Sequence, residues 1–473
     1  MAPNDTRKVH TAETIAKELE NDVCVKVSGS DIDGIPRGKI ITKAKFVKSL
    51  EEGFGFCNVA FGWDMLDKTY DESVQVERGY SDLLAKIDLS SFRRIPYENN
   101  VPHFLFDFHD PIANSPFKAC PRSLLKKAIK DCNDLGFAPL CGVEFEFYNF
   151  KETPESINAK NGVNLTALTP GMFGYSLLRP TLNSKFFDEV YHHCLAYGIP
   201  IEGFHTETGP GVFEAALEYG DALEIADRAH LFKKAVKQIA LKHGIISSFM
   251  AKPYADLPGC SGHMHFSLKD IKTGANAFVD DGNEESAGGN EAKAAMKGMS
   301  DTMRHFIAGL LEALPSILPL MLPTINSYKR LVENNWAPIT VSYGIENRIA
   351  AIRLIAPPTC PKSATRLELR VPGADVNAYL GIAGCIAAGV RGIKKKIEPK
   401  FPPVQGGDNG VLGERLPRTL KDAVNLMMAP GSVAREVLGD GFVEHFGRTR
   451  LHEWKQWETA VTNWEIKRYI ETV

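Results

Sequence analysis

Residues 140–150 read LCGVEFEFYNF, a run in which Glu144 and Glu146 alternate with Val143, Phe145 and Phe147. In a strand, positions i and i+2 point the same way, so both carboxylates share one face and the aromatic rings take the other. Three later segments repeat the device. HTETGPGVFEAAL (205–217) places Glu207 and Glu214 about the turn Gly209-Pro210-Gly211. SGHMHFSL (261–268) alternates His263 and His265 with Met264, and RLELR (366–370) puts Arg366, Glu368 and Arg370 on one side. A face holding carboxylates, imidazoles and guanidiniums is costly to bury unpaired. Divalent cations and a phosphate-rich ligand stabilise it, so the pattern predicts an enzyme that uses ATP and Mg²⁺ (or Mn²⁺).

Each segment alone has a blander reading. Glu144 and Glu146 suit the wet face of a half-buried strand, and a single histidine after the bend Gly259-Cys260-Ser261-Gly262 suits a structural role. It is their combination that points to two ions able to bridge phosphates and stabilise a transferring phosphoryl group. Arg330, Arg348, Arg353, Arg366 and Arg370 crowd one stretch of chain, and guanidinium forks match carboxylate and phosphate oxygens. There is no G-x-x-x-x-G-K-[ST] loop and no G-x-G-x-x-G fingerprint, which argues against P-loop, kinase and dinucleotide-binding architectures.

The chain has 473 residues, 44% hydrophobic and 24% charged, with a formal charge of -3. That size predicts one large domain and a smaller one. No dense basic run supports nucleic-acid binding. The nine cysteines form no C-x-x-C pair and read as thiols in a reducing, cytoplasmic setting. The first residues lack an apolar signal-peptide region. The most apolar stretch, 306–325, carries Glu312 and three prolines, which predicts a buried helix and turn rather than a membrane span.

Thr11 is a candidate cap for a first helix, followed by the strand VCVKVSG and a strand-then-helix in RGKIITKAKFVKSLEEG. Pro121 opens a helix ending near Gly136; further helices run over SKFFDEVYHHCLAYG, DALEIADRAHLFKKAVKQIALKHG, KGMSDTMRHFIAGLLEAL and YLGIAGCIAAGVRGIKKKI. The stretches 272–293 and 401–414 read as loops. The expected class is α+β with a mainly antiparallel sheet, divided as 11–110 and 111–473.

On these motifs the chain resembles the glutamine synthetase superfamily, in its bacterial-type class I branch and γ-glutamyl-amide ligase relatives. The likeness covers nearly the whole chain. It rests on D-x-x-G-x-x-R-G-K at Asp31–Lys39, G-x-E-x-E-F at Gly142–Phe147, H-x-E-x-x-P-G-x-x-E at His205–Glu214, and F-M-x-K-P at Phe249–Pro253. N-S-Y-K-R-L at Asn326–Leu331, N-R-x-x-x-x-R at Asn347–Arg353, R-x-E-x-R at Arg366–Arg370 and D-x-N-x-Y-L at Asp375–Leu380 complete it. The resemblance implies an N-terminal β-grasp domain and a catalytic domain with a curved sheet. It implies that Glu146, Glu207 and Glu214 hold one ion, and Glu144, His263 and Glu368 the second. Gly259, His263, Arg330 and Arg370 would bind glutamate, with Trp336 on the amine side. Glu144, Lys252, His265, Arg348, Arg353 and Arg366 would bind the nucleotide. Arg348, Arg353, Glu207 and Asp64 are the implied catalytic residues, Asp64 reaching in from a neighbouring subunit of a hexameric or dodecameric ring. The implied reaction joins the γ-carboxylate of L-glutamate to an amine through γ-glutamyl phosphate. Glutamine synthesis from ammonia and a non-catalytic ring-forming role are the alternatives.

Departures from the family pattern cluster on the amine side. The glutamate expected before Ala337-Pro338 is Trp336, with Glu333 nearby. The double histidine is His205-Thr206, the Asn-Gly of the glutamate loop is Pro258-Gly259, the D-G-S-S near Asp64 is absent, and no adenylylation-tyrosine segment is evident. An indole has no formal charge for ammonium but can line an apolar pocket or attract a cation with its face. The expected amine is therefore larger than ammonia.

Overall fold

The structure, a computed structural model, describes residues 10–70, 79–280, 295–332, 337–405 and 413–473. Two sheets organise the chain, which is α+β as expected. The first has the order β2-β1-β5-β4-β3, with β6 on β5. Its strands are β1 (Cys24–Ser30), β2 (Pro36–Thr42), β3 (Phe54–Cys57), β4 (Asp82–Ile95), β5 (Val101–Asp110) and β6 (Ser115–Pro116). Thr11 caps the helix Ala12–Glu18 through a reciprocal pair of bonds with Thr14, as its sequence predicts. Phe104, Phe106 and Phe108 share one face of β5, and His103, Leu105 and Asp107 on the opposite face are buried as well, so this strand is covered on both faces.

The second sheet is curved and mainly antiparallel, in the order β12-β13-β14-β11-β7-β9-β8, with β10 on β7. It comprises β7 (Phe137–Phe150), β8 (Ile201–Thr206), β9 (Val212–Asp221), β10 (Ile246–Ser248), β11 (Gly262–Asp270), β12 (Tyr343–Ile345), β13 (Ile352–Ile355) and β14 (Arg366–Leu369). Only β12–β13 pair in parallel within it. Its apolar face packs on helices. Phe147 stacks on Phe249 at 5.1 Å between ring centres, and Phe145 lies parallel to Phe232 of the helix Ala222–Lys242.

Behind that layer the helices Asp301–Met321 and Ala378–Lys395 cross at Gly309 and Gly392. A Cβ on Gly392 would meet the His305 carbonyl at 2.1 Å, so the close crossing requires glycine there. The first of these helices continues through Pro315 and Pro319, past the Leu314 end of the run that its spacing marks; no helix of the described residues is long and apolar enough to cross a membrane. The described part of the expected loop 272–293 is less exposed than its composition predicts, since Phe278 is buried against Phe306.

Candidate active site

Register brings the charged residues together. His263 on β11 stands opposite Glu144 on β7, and Glu146 opposite Glu214 on β9, which in turn faces His205 on β8. On the other flank, His265 faces Glu368 on β14, and Glu368 faces Arg353 on β13. Alternation supplied the face; antiparallel pairing turned four separate segments into one surface. The β7–β9 register slips between Cys141 and Val143, at Gly142.

Two groups of ligand-capable atoms result, each within 4.8 Å: His205, Glu207 and Glu214, and Glu144, His265 and Glu368. They overlap the two triads that the family pattern implies but differ in one member each. Both oxygens of Glu146 accept from Ser261, its amide at 2.8 Å and its hydroxyl at 2.6 Å. His263 Nδ1 sits between Glu368 (3.4 Å) and Glu144 (3.7 Å), while its buried Nε2 has no hydrogen-bond partner among the described residues. Arg366 Nε donates to His265 Nδ1 at 3.3 Å, which leaves the ring proton on Nε2; that nitrogen lies 3.2 Å from Glu144 Oε1 without the alignment of a hydrogen bond.

The electrostatics divide along the same line. Burial opposes charge on Glu144, yet His263 and His265 hold it well below the usual carboxylate range. Burial and repulsion from Glu146, Glu144 and Glu207 push Glu214 up to about 9. A face that forces one of its carboxylates to keep its proton is short of positive charge. Its oxygen and imidazole donors, with no thiol among them, fit Mg²⁺ or Mn²⁺.

Arg353 donates to Glu368 Oε2 at 3.0 Å and to Glu346 Oε2 at 3.0 Å, while Arg370 pairs with Glu368 Oε1 and with the Arg348 carbonyl. Arg348 itself is exposed. Arg330 is buried and donates to the Val371 and Arg370 carbonyls; burial lowers its affinity for its proton, with only partial relief from Glu146 and Asp375. Gly259 lies against it, since a Cβ there would sit 2.5 Å from the Ala251 carbonyl and 3.0 Å from Arg330 Cγ. The Asn326 amide clasps the backbone of Lys252 in both directions, so N-S-Y-K-R-L and F-M-x-K-P form one unit; Lys252 Nζ turns to the Leu257 carbonyl. Asp64 accepts from the Leu66 and Lys68 amides and orders its own loop. Trp336 and Glu333 lie outside the described residues.

A cavity of about 600 Å³ opens beside this face, bordered by Gly142, Glu144, Tyr219, His265, Lys269 and Arg366. Residues that sequence reasoning did not single out include Ser261, which holds Glu146, and Glu346, which holds Arg353. Glu346 directly precedes the Asn347–Arg353 motif, but its contact depends on the parallel β12–β13 pairing, which no local pattern signals.

This fold and face define a nucleotide- and metal-using ligase. The profile of the glutamine synthetase catalytic domain matches residues 118–469. The chain is 47% identical over 455 residues to the type-1 glutamine synthetase 2 of Dictyostelium discoideum, covering 95% of this chain and 84% of that one. It is 34% identical over 462 residues to a glutamate–isopropylamine ligase of a Pseudomonas species, covering 96% of each. A solved structure described as a GmaS/ADP complex aligns with a TM-score of 0.80 at 28% identity, over 98% of this chain and 100% of that one. The chain belongs to the glutamine synthetase family. It is an ATP-dependent carboxylate–amine ligase.

Proposed function

We propose that the chain joins the γ-carboxylate of L-glutamate to an organic amine. The observation that carries the ligase chemistry is the convergence of two carboxylate–imidazole groups and the Arg353–Glu368–Arg370 chain on one sheet face beside the 600 Å³ cavity. The nucleotide takes that cavity, its phosphates directed toward Glu144 and His265, with Lys252, Arg348, Arg353 and Arg366 as its cationic partners. Arg330, already buried and hydrogen-bonded only to carbonyls among the described residues, gains from an anion; it and Arg370 hold the α-carboxylate of glutamate beside Gly259 and His263.

A γ-carboxylate oxygen attacks the γ-phosphorus of ATP, and the bond to the β,γ-bridging oxygen breaks to release ADP. The amine nitrogen then attacks the acyl carbon of γ-glutamyl phosphate, gives up a proton, and the acyl C–O bond breaks to release phosphate. Arg348 and Arg353 stabilise the transferring charge, Glu207 orients the reacting groups through the first cation site, and Asp64, supplied by a neighbouring subunit, receives the amine proton. Divalent cations on Glu146, Glu207 and Glu214 and on Glu144, His263 and Glu368 would supply neutralisation of phosphate and carboxylate charge. We read residues 11–110 as the unit that closes the adjacent site in a hexameric or dodecameric ring, and the cytoplasm as its setting.

The replacement at Trp336 and the 34% identity to a glutamate–isopropylamine ligase support an organic amine. The 47% identity to a glutamine synthetase favours ammonia as the second reading. Glutamate-dependent phosphate release with Mg-ATP, across ammonium, methylamine, isopropylamine, ethanolamine, putrescine, spermidine and aniline, separates them when products are weighed. A preference for one organic amine is expected; turnover with ammonium alone overturns the first reading.

A further inference from the structure

Thr206 occupies the position where the family pattern has a second histidine, and its side chain does something specific. Its buried hydroxyl donates to the Phe173 carbonyl at 2.7 Å and accepts from the Ser176 amide at 2.8 Å, while its own carbonyl accepts from the Tyr175 amide at 2.8 Å. One β8 residue thus ties down a segment distant in sequence, using both donor and acceptor capacity of a hydroxyl. Tyr175 is held with φ +54°, a conformation that a bulky residue adopts only when its surroundings impose it.

The tied segment covers the first carboxylate group. Tyr175 stacks on His205 with ring centres 4.4 Å apart and planes at 26°, leaving its other face exposed. Gly174 lies beside Glu207, where a Cβ would be in ordinary contact with its Oε2 at 3.6 Å. Phe173 is fixed by the Arg179 guanidinium, 3.7 Å above its ring. Phe173 and Tyr175 retain exposed apolar surface, Tyr175 directly against the carboxylate–imidazole group, and Leu177 and Leu178 next along the chain are exposed too. An apolar, π-rich wall next to carboxylates suits an alkylammonium or alkylamine better than ammonia, because the carbon skeleton gains contact while the nitrogen meets negative charge and ring faces.

We propose that Thr206 is the positioning residue that holds residues 173–178 as an aromatic wall over His205, Glu207 and Glu214, and that this wall selects amines carrying an apolar carbon skeleton. The proposal rests on the reading that an organic amine is the second substrate. Thr206→Val keeps the shape and removes the hydroxyl; Thr206→Ser keeps the hydroxyl.

Two readouts test it on the full-length protein. The first is the ratio of kcat/KM for isopropylamine to that for ammonium; the second is hydrogen–deuterium exchange at the Tyr175 and Ser176 amides. Thr206→Val is expected to lower the ratio about tenfold, with KM for glutamate and ATP within about twofold, and to speed exchange at Ser176. Thr206→Ser is expected to match the wild type in both, and Tyr175→Ala to lower the ratio without freeing Ser176. An unchanged ratio in Thr206→Val, or an equal loss with both amines, overturns the proposal while organic amines remain substrates of the wild type. A wild type that turns over ammonium alone overturns the amine reading and the selectivity together.

Discussion

Arg122 and Glu214 are both largely buried ionisable residues, and their surroundings are opposites. Arg122, 2% exposed, donates to Asp227 at 2.8 and 2.9 Å and pairs with Asp88 at 2.8 Å and Asp107 at 3.1 Å. Tyr379 adds a hydrogen bond to Asp227 at 2.7 Å. Burial opposes the charge on Asp88 and Asp227, and Arg122 nevertheless holds both below the usual carboxylate range. This network bonds β4 and β5 of the first sheet to the helices Pro121–Asn133, Ala222–Lys242 and Ala378–Lys395. Glu214 is raised to about 9 by its burial and by three other carboxylates around it. A compensated cluster joins parts of the fold; an uncompensated one waits for charge to arrive. The sum of neighbouring charge, more than burial, separates structural from chemical ionisable groups.

The sharpest way to break this contrast is to remove a group from the uncompensated face. Glu207→Ala and His263→Ala are expected to lower glutamate-dependent phosphate release by roughly 10³-fold or more, with the fold retained. Wild-type ATP turnover in either variant would sink the assignment. Removing Arg122 should do the reverse. Arg122→Met leaves buried Asp227 without its charged partner and Asp88 and Asp107 with Lys126 alone, at a cost of about 3–5 kcal/mol in urea denaturation. A loss below about 1 kcal/mol would show that water or another cation replaces it.

A subtler effect follows from pH. Folding raises the pKa of Glu214, so its contribution to stability is complete below about 4.5 and is lost as pH rises through about 9. Metal-free wild type should therefore lose thermal midpoint between about pH 6 and pH 8.5 more steeply than Glu214→Gln, whose amide carries no proton to lose. Added Mg²⁺ should recover the loss in the wild type, and more fully at the higher pH, because the ion competes with that proton. Parallel curves for the two proteins in chelator would remove Glu214 from the argument. The smallest expected change is at Trp336→Glu, which restores a formal charge for ammonium and should shift relative kcat/KM toward ammonia by about tenfold. An unchanged ratio across the amine panel would count against a role for the indole.

Much of the site face is legible in the sequence. Glu144, Glu146, His263, His265, Glu368 and Arg370 announce themselves because side-chain alternation is a period-two property, carried by each strand alone. Helices opened by Thr11 and Pro121 were legible for the same reason: caps are local. What stayed hidden depends on partners far along the chain. Ser261 engages Glu146 only because β11 lies beside β7, and Glu346 reaches Arg353 only through a parallel pairing. The role of Thr206 was invisible too: the sequence marks it as a missing histidine, while its hydroxyl acts on residues 173–176.

By itself, then, the sequence determined the chemical class: which side chains share a strand face, that they are too charged to stay unpaired, and that the ordered motifs are those of the glutamine synthetase family. Tertiary structure alone decided which of those side chains meet. Cross-strand register set His265 with Glu144 and Glu368, gave both oxygens of Glu146 to Ser261, and left Glu214 among like charges. The physical reason is one of range. Periodicity, caps and turns arise from steric and hydrogen-bond rules within a few residues, whereas charge balance is a sum over neighbours that only the pairing of distant strands brings together.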